Sequence, residues 1–470
     1  MRGPGGRPRA EHPDGGLSVA APADLTTADL STADLSTADL HPAVDDPALN
    51  SMNFLNEVAQ HYPDAVSLAA GRPYEEFFDV AALHRYLDTF RRHLADDLGL
   101  TPAQVHRTLF QYGRTKGVVH HLVARNLAVD EGISVDPEAI VVTVGCQEAM
   151  FLVLRALRTG PGDVLLAVAP TYVGLTGAAR LLDLPVRPVA GGPAGVDLAD
   201  LRAQVRGARA DGLRPRACYL MPDFANPSGT SVGLADRRRL LALAEAEDLL
   251  LLEDNPYGLF PAGDAERVPT LKALDTGRRV VYLGSFAKTV LPGARVGYVV
   301  ADQRVAGADG TVGLLADQLA KIKSMVTVNT SAIAQAVIGG ALLEHGCSLV
   351  AATVRERAAY TRNLRHLVAG LARRFPADAS PVRWNVPAGG FFVVVTVPFP
   401  VDDALLHRSA REYGLLWTPM AHFYDAGAPV DALRLSVSAV TPAEIDFGLD
   451  RLAALVTDEL TRRGTAGRVA

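Results

Sequence analysis

Ser285-Phe286-Ala287-Lys288-Thr289-Val290-Leu291-Pro292-Gly293-Ala294-Arg295-Val296-Gly297-Tyr298 follows closely on the apolar run Val280-Val281-Tyr282-Leu283. That run reads as a buried strand, which puts Lys288 just past a strand end. A lone lysine there, with a hydroxyl three residues before it and a guanidinium seven after, suits one chemistry. The amine adds to the aldehyde of a cofactor, while Ser285 and Arg295 hold the cofactor's phosphate. By itself the segment also reads as a solvated loop with one basic residue. Position 287 is alanine, whereas a phosphate-binding loop needs glycine directly before its lysine. No Gly-x-Gly-x-x-Gly follows a predicted strand either, so nucleotide binding drops out.

Polar signals recur at the carboxyl ends of four further apolar runs. Ala139 to Val144 ends in Gly145-Cys146-Gln147-Glu148, and Asp163 to Val168 ends in Pro170-Thr171-Tyr172. Ala217 to Met221 ends in Asp223-Phe224-Ala225-Asn226-Pro227, and Leu249 to Glu253 ends in Asp254-Asn255-Pro256-Tyr257. Continuous apolar strands alternating with helical patterns imply an α/β domain whose largely parallel sheet is covered on both faces. Ligands of such sheets collect beyond the carboxyl ends of the strands, so all five signals fall on one edge.

The roles follow from what pyridoxal phosphate needs. A carboxylate against the ring nitrogen keeps it protonated, and Asp254 is the candidate, although Asp-Asn-Pro also makes a good turn. Asn226 and Tyr257 can donate to the ring's phenolic oxygen, or serve as a turn residue and an amphipathic rim residue. Tyr172 offers an aromatic face for stacking, or ordinary packing. Gly145-Cys146-Gln147 sits between a strand and a helix, where amides and dipole favour an anion; the glycine also serves to close a turn.

These motifs resemble those of fold-type I pyridoxal-phosphate enzymes of the class I/II aminotransferase group, over roughly Asp46 to Leu460. Ser-Phe-Ala-Lys with Pro-Gly-x-Arg-x-Gly, Asn226-Pro227-x-Gly229-Thr230 and Asp254-x-Pro256-Tyr257 carry the resemblance. It implies that Lys288 binds the cofactor covalently and moves protons, with Asp254 and Tyr257 as the other catalytic residues. It further implies that Gly145, Cys146, Gln147, Tyr172, Asn226, Ser285 and Arg295 bind the cofactor. Arg434, in Leu433-Arg434-Leu435-Ser436, matches the arginine that takes the substrate α-carboxylate. Tyr112 matches a tyrosine reaching the phosphate of a neighbouring subunit, which implies a homodimer with shared active sites. Gly389-Gly390-Phe391-Phe392 resembles a strand motif near the substrate. Cys146 departs from the serine or glycine of many relatives, which puts its side-chain contact to phosphate in doubt.

The 470 residues are 49% hydrophobic, enough for two domains with full cores, and the net charge of -6 is interspersed. Nothing suggests nucleic acid, an anionic membrane or a bound metal. No apolar stretch reaches membrane-span length. Cys146, Cys218 and Cys347 lack metal spacing, which fits a reduced cytoplasmic setting. Residues 1–45 hold near copies of a five-residue repeat from Asp24 to Ala38 and read as a disordered tail without a secretory signal. That tail is too short and too polar for a winged-helix DNA-binding domain, which argues against the regulators that share this fold.

By the resemblance, residues 46–95 form an arm and part of a small domain. Residues 96–345 form the large cofactor-binding domain, ending in a helical run Ser331–Leu343, and 346–470 complete the small α+β domain, with a long amphipathic pattern Ser348–Phe375. The implied activity is ping-pong transfer between a small-molecule amino acid and a 2-oxo acid. The stretches Asp46 to Val58 and Ser67 to Asp79, with Gly71 and Arg72, are similar to the arylglycine, (S)-3,5-dihydroxyphenylglycine, subgroup of antibiotic pathways. The same region also resembles 2-aminoadipate and branched-chain or aromatic aminotransferases. A non-transaminating decarboxylase, lyase or synthase on the same fold stays open. Arg72 either contacts substrate or anchors the arm. Tyr74, Phe77, Phe78, Phe391, Phe423 and Tyr424 are expected to flank an aryl pocket, or to be small-domain core.

Overall fold

The computed structural model describes residues 35–46, 49, 51, 57–192, 195–263, 266–424 and 430–466. The chain divides into two compact units, 1–46 and 47–470. Within 35–46 lie two short 3-10 turns, Thr37–Asp39, capped reciprocally by Ser36 and Asp39, and Pro42–Asp45. Residues 1–34 of the expected disordered tail lie outside the described residues, as do residues 47, 48, 50 and 52–56 of the stretch resembling the arylglycine subgroup.

The second unit is built on a seven-stranded sheet. Its strands are β1 (Ile140–Thr143), β2 (Asp163–Ala169), β3 (Val186–Ala190), β4 (Arg214–Leu220), β5 (Leu250–Asp254), β6 (Val280–Ser285) and β7 (Gly297–Val300). They lie in the order β1-β7-β6-β5-β4-β2-β3, and only β7 runs against the rest. All five apolar runs are strands of this sheet. Neighbouring residues of a strand feed different cores: Val141, Leu252 and Val281 enter one, while Ile140, Leu251 and Val280 enter those on the other side. The sheet is therefore buried on both faces, as continuous apolar strands require.

Helices Gly145–Leu157, Val173–Leu181 and Leu234–Ala246 follow β1, β2 and β4. β3 and β7 were not read from the sequence as strands. β3 carries Pro188 in Val-Arg-Pro-Val-Ala, which breaks the pattern, and it pairs only with β2. A proline within a sheet is tolerated at such an edge, where no neighbour needs its missing N–H.

A second, antiparallel sheet comprises β8 (Arg383–Trp384), β9 (Phe392–Thr396), β10 (Thr418–Pro419) and β11 (Ala432–Ser436), in the order β8-β9-β11-β10. It packs with helices Val354–Arg374 and Pro442–Ala466 on a core that includes Val58, Leu68 and Ala69. Val66 and Ser67 pair in parallel with Leu415 and Leu416, which ties the early segment to this sheet. The run Ser331–Leu343 forms helix Ala332–Glu344. The amphipathic pattern 348–375 is two helices, Leu349–Ala352 and Val354–Arg374, because Thr353 is buried and turns its hydroxyl back onto the Leu349 carbonyl. Such back-bonding competes with regular helix.

Candidate active site

The carboxyl ends of the parallel strands and the two inner strands of the second sheet, through Phe392 and Arg434, contribute to a cavity of about 290 Å³. Gly71, Arg72, Cys146, Gln147, Tyr172, Asn226, Asp254, Tyr257, Ser285, Lys288, Arg295 and Arg434 all line it. A larger cleft, about 1280 Å³, opens near the amino ends of β4 and β5, around Arg216 and Leu250. None of the expected site residues lines that cleft, so size alone does not locate the chemistry.

Lys288 leaves the end of β6 in a tight turn. Phe286, two residues earlier, is fully buried against Tyr298, and its carbonyl accepts the Val290 amide at 3.0 Å. This anchors the turn and presents Lys288 Nζ to the cavity, where it donates to the Gly71 carbonyl at 2.8 Å. Burial, with Arg295 and Arg434 nearby, pulls the Lys288 amine down to about 8, while Asp254 acts the other way.

Arg295 takes a left-handed backbone, φ 50°, and its guanidinium passes directly over Gly145. Gly145 is itself at φ 71°, and a Cβ there would collide with Arg295 Nη2. Glycine is thus required twice, for the conformation and for the approach. Helix Gly145–Leu157 begins with no side-chain cap, so its first amides are available to an anion. The Gln147 side chain is committed elsewhere: its Nε2 donates to the Gly174 carbonyl at 2.6 Å. The Cys146 thiol faces Asp254 Oδ1 at 3.6 Å. For both residues the backbone N–H is the group left for phosphate.

Asp254 is the last residue of β5 and is buried. Its Oδ2 accepts from the Tyr219 hydroxyl of β4 at 2.7 Å. Burial pushes its carboxyl up to about 6, against the opposing pull of Tyr219, Cys146 and Lys288. Tyr257 is buried edge-on against Phe391 and Phe392, 5.2 and 5.4 Å between centroids. Burial raises its phenol, and the Asn226 amide acts against that.

Arg434, on β11, is buried and meets only neutral acceptors among the described residues. They are Asn226 Oδ1, the Ala69 carbonyl at 2.8 Å and Thr418 Oγ1 at 3.1 Å. Its guanidinium lies 4.2 Å from the Phe392 ring centroid and 5.1 Å from that of Phe423, and its buried Nε has no partner among the described residues. A buried cation without a counter-ion calls for an anionic ligand. Burial lowers Arg434 to about 10.

The remaining expected residues divide. Of the six aromatics expected to flank the pocket, only Phe423 lines it, joined by Phe392. Phe391 is fully buried in a satellite core with Phe260 and Tyr360, and Phe77 packs edge-on against Tyr360. Arg72 pairs with Glu75 at 3.4 Å, both largely exposed, and its carbonyl accepts from Ser438. Tyr112 is exposed and does not reach this cavity within the chain. Tyr219, Thr418 and Ser438 escaped the sequence reading. A tyrosine inside the buried run of β4 was the available signal, since a buried hydroxyl needs an acceptor.

The arrangement fits a phosphorylated aldehyde cofactor. An amine of lowered basicity, a buried carboxylate and an uncapped helix start with an adjacent guanidinium share one cavity. The fold and this site define a pyridoxal-phosphate-dependent transaminase, and the chain belongs to the family of class I and II aminotransferases, whose model matches residues 78–452. Over 415 residues it is 59% identical to (S)-3,5-dihydroxyphenylglycine transaminase of Amycolatopsis orientalis, covering 88% of this chain and 93% of that protein. It is 30% identical to 2-aminoadipate transaminase of Thermus thermophilus, covering 83% and 89%. Among solved structures it resembles LysN, the α-aminoadipate aminotransferase of Thermus thermophilus complexed with N-(5'-phosphopyridoxyl)-L-leucine. The TM-score is 0.73 at 27% identity, covering 91% and 100% of the two chains.

Proposed function

We propose that this transaminase moves an amino group between an aromatic amino acid and an aryl 2-oxo acid of the arylglyoxylate type. The observation that carries this is the lining around Arg434. With that arginine the cavity is lined by Val58, Ala59, Val173, Met221, Phe392 and Phe423, apolar side chains suited to an uncharged ring. A substrate with a second carboxylate would need a further cation, and the Arg72 guanidinium is already paired with Glu75. The 59% identity to the dihydroxyphenylglycine transaminase supports the same reading, including a place in antibiotic-type amino-acid biosynthesis.

In this proposal the Arg434 guanidinium takes the substrate α-carboxylate as a charge-assisted pair, which sets Cα beside Lys288. When bound, pyridoxal phosphate supplies the aldehyde carbon that carries the amino group and a ring that accepts the electrons left at Cα. Lys288 would hold it covalently and, as a free amine, would carry the proton from the donor's Cα to the cofactor's aldehyde carbon, with the reverse transfer to Cα when the acceptor is aminated. The lowered basicity of Lys288 keeps an unprotonated amine accessible near neutral pH. Asp254 holds the proton on the ring nitrogen, Asn226 and Tyr257 donate to the phenolic oxygen, and Tyr172 covers the ring. Ser285, Arg295 and the amides of Gly145, Cys146 and Gln147 hold the phosphate.

The same proposal divides the second unit into a large domain, 96–345, and a small one, 46–95 with 346–470. It pairs two copies as a homodimer in which Tyr112 reaches the partner's phosphate. Exposure of Phe110, Tyr112, Met325 and Val326 supports such a contact. The three free cysteines suit the reducing cytoplasmic location of this proposal. No described helix is long and apolar enough to cross a membrane.

The test is a screen of amino donors and oxo-acid acceptors. Tyrosine, phenylglycine derivatives and arylglyoxylates are expected to lead in kcat/KM. A tenfold lead for aspartate, or for lysine and 2-aminoadipate, would remove the aryl assignment while leaving the transaminase intact.

A further inference from the structure

The carboxylate of Asp254 is held from two sides. Tyr219, on the adjacent parallel strand β4, donates its hydroxyl to Oδ2 at 2.7 Å, and both residues are buried. Cys146, in the first turn of helix Gly145–Leu157, places its thiol 3.6 Å from Oδ1. The donors come from different elements and address different oxygens, so together they fix the plane of the carboxylate as well as its position. Burial makes both Tyr219 and Cys146 weaker acids, and the Asp254 charge adds to the effect. Each therefore keeps its proton and acts as a neutral donor.

We propose that Tyr219 and Cys146 are positioning residues that orient Asp254 and keep it ionised opposite the cofactor's ring nitrogen. The proposal rests on the assignment of Asp254 to that nitrogen. The physical need is plain: a carboxyl taken out of water prefers its neutral form, and a neutral carboxyl cannot hold charge on the ring. Hydrogen bonds donated to the carboxylate oppose that preference. Asp254 sits at about 6 even with both donors present, so losing one moves it toward protonation at neutral pH. Lys288 also favours the ionised form, whereas Tyr172 and Tyr257 face the same carboxylate as neutral phenols. The hydroxyl is the stronger donor and the thiol the weaker. Tyr219 accordingly carries the larger share.

The test uses the full-length chain with Tyr219→Phe, Cys146→Ala, Cys146→Ser and Asp254→Asn. Pyridoxal-phosphate affinity is titrated across the acid and neutral range, and kcat and KM are measured for the best amino donor. Tyr219→Phe is expected to weaken cofactor binding by about 10- to 100-fold at neutral pH, the scale of a hydrogen bond to a charged group. Its acid-side loss of binding should begin about one pH unit higher, with kcat falling more than KM changes. Cys146→Ala should move the same quantities by roughly 2- to 5-fold, and Cys146→Ser should restore them because a donor is retained. Should Tyr219→Phe fail to fold, the two Cys146 variants decide: equal behaviour in the acid-side titration overturns the proposal. Unchanged affinity and acid limb in Tyr219→Phe and Cys146→Ala, with Asp254→Asn impaired, would overturn it and leave the Asp254 assignment standing. An unimpaired Asp254→Asn would overturn both.

Discussion

The guanidinium of Arg434 lies 4.2 Å from the centroid of the Phe392 ring. The two side chains belong to the paired strands β11 and β9, and Phe392 in turn lies directly against Gly71. Phe392 and, at 5.1 Å, Phe423 confine the planar cation, whose Nη1 donates to Asn226 Oδ1 and whose Nη2 donates to the Ala69 carbonyl and Thr418 Oγ1. Lysine cannot reproduce a flat, two-pronged donor. Arg434→Lys is therefore expected to raise KM for the amino donor with less effect on cofactor binding. The fall in kcat/KM should be roughly 10- to 100-fold, the scale of a hydrogen bond to a charged group. Steady-state kinetics with separate cofactor titration check this; an unchanged KM contradicts it.

Gly145 allows Arg295 to approach, so Gly145→Ala should displace that guanidinium and strain a backbone at φ 71°. The expected result is weaker pyridoxal-phosphate binding by about tenfold or more, from the lost charge-assisted contact to phosphate. Pyridoxal without the phosphate should bind the variant and the parent almost equally. Equal loss for both ligands would contradict the role of this contact.

The lowered basicity of Lys288 has a kinetic signature. Only the neutral amine adds to an aldehyde, and its folded value of about 8 lies below the ordinary 10.5. Covalent attachment of cofactor to the stripped protein should accelerate as pH rises through about 8 and then level off. Continued acceleration to beyond about 10, the range of an ordinary lysine, would show that burial and the two arginines do not act on this amine.

Arg237 is fully buried and ties the loop that carries Asn226. It donates to the carbonyls of Val232, Pro269 and Pro222 and pairs with Asp223. Arg237→Leu strands those acceptors and a buried carboxylate. A loss of about 3–5 kcal/mol in unfolding free energy is expected, with weaker cofactor binding as Asn226 shifts. Denaturant titration measures it, and a loss under about 1 kcal/mol would contradict the reading.

What the sequence made legible follows from where its signals lie. Lys288, Asp254 and Asn226 stand just past apolar runs long enough to be strands, so pattern and chemistry agreed on one sheet edge. Tyr219 was hidden for the opposite reason: inside the run of β4 a tyrosine reads as core, and its acceptor is 35 residues away. The pocket aromatics misled because a ring near the site in sequence can face either way. Tyr74 and Phe77 pack against each other at 5.5 Å, and Phe391 turns into the core while its neighbour Phe392 faces Arg434. Phe391 lies just before β9 and Phe392 opens it, so the start of that strand decides which ring meets the site. Contacts between distant segments, such as Ser438 with the carbonyls of Ala70 and Arg72, have no local signature at all.

The central claim is that Lys288 is the residue that binds pyridoxal phosphate covalently. Borohydride reduction of the yellow holoenzyme, followed by peptide mapping, tests it most directly. The account predicts the reduced cofactor on Lys288 and, for Lys288→Ala, noncovalent cofactor binding with transamination slowed at least about 10³-fold. Cofactor trapped on another lysine, or none bound in the presence of excess pyridoxal phosphate, would contradict it.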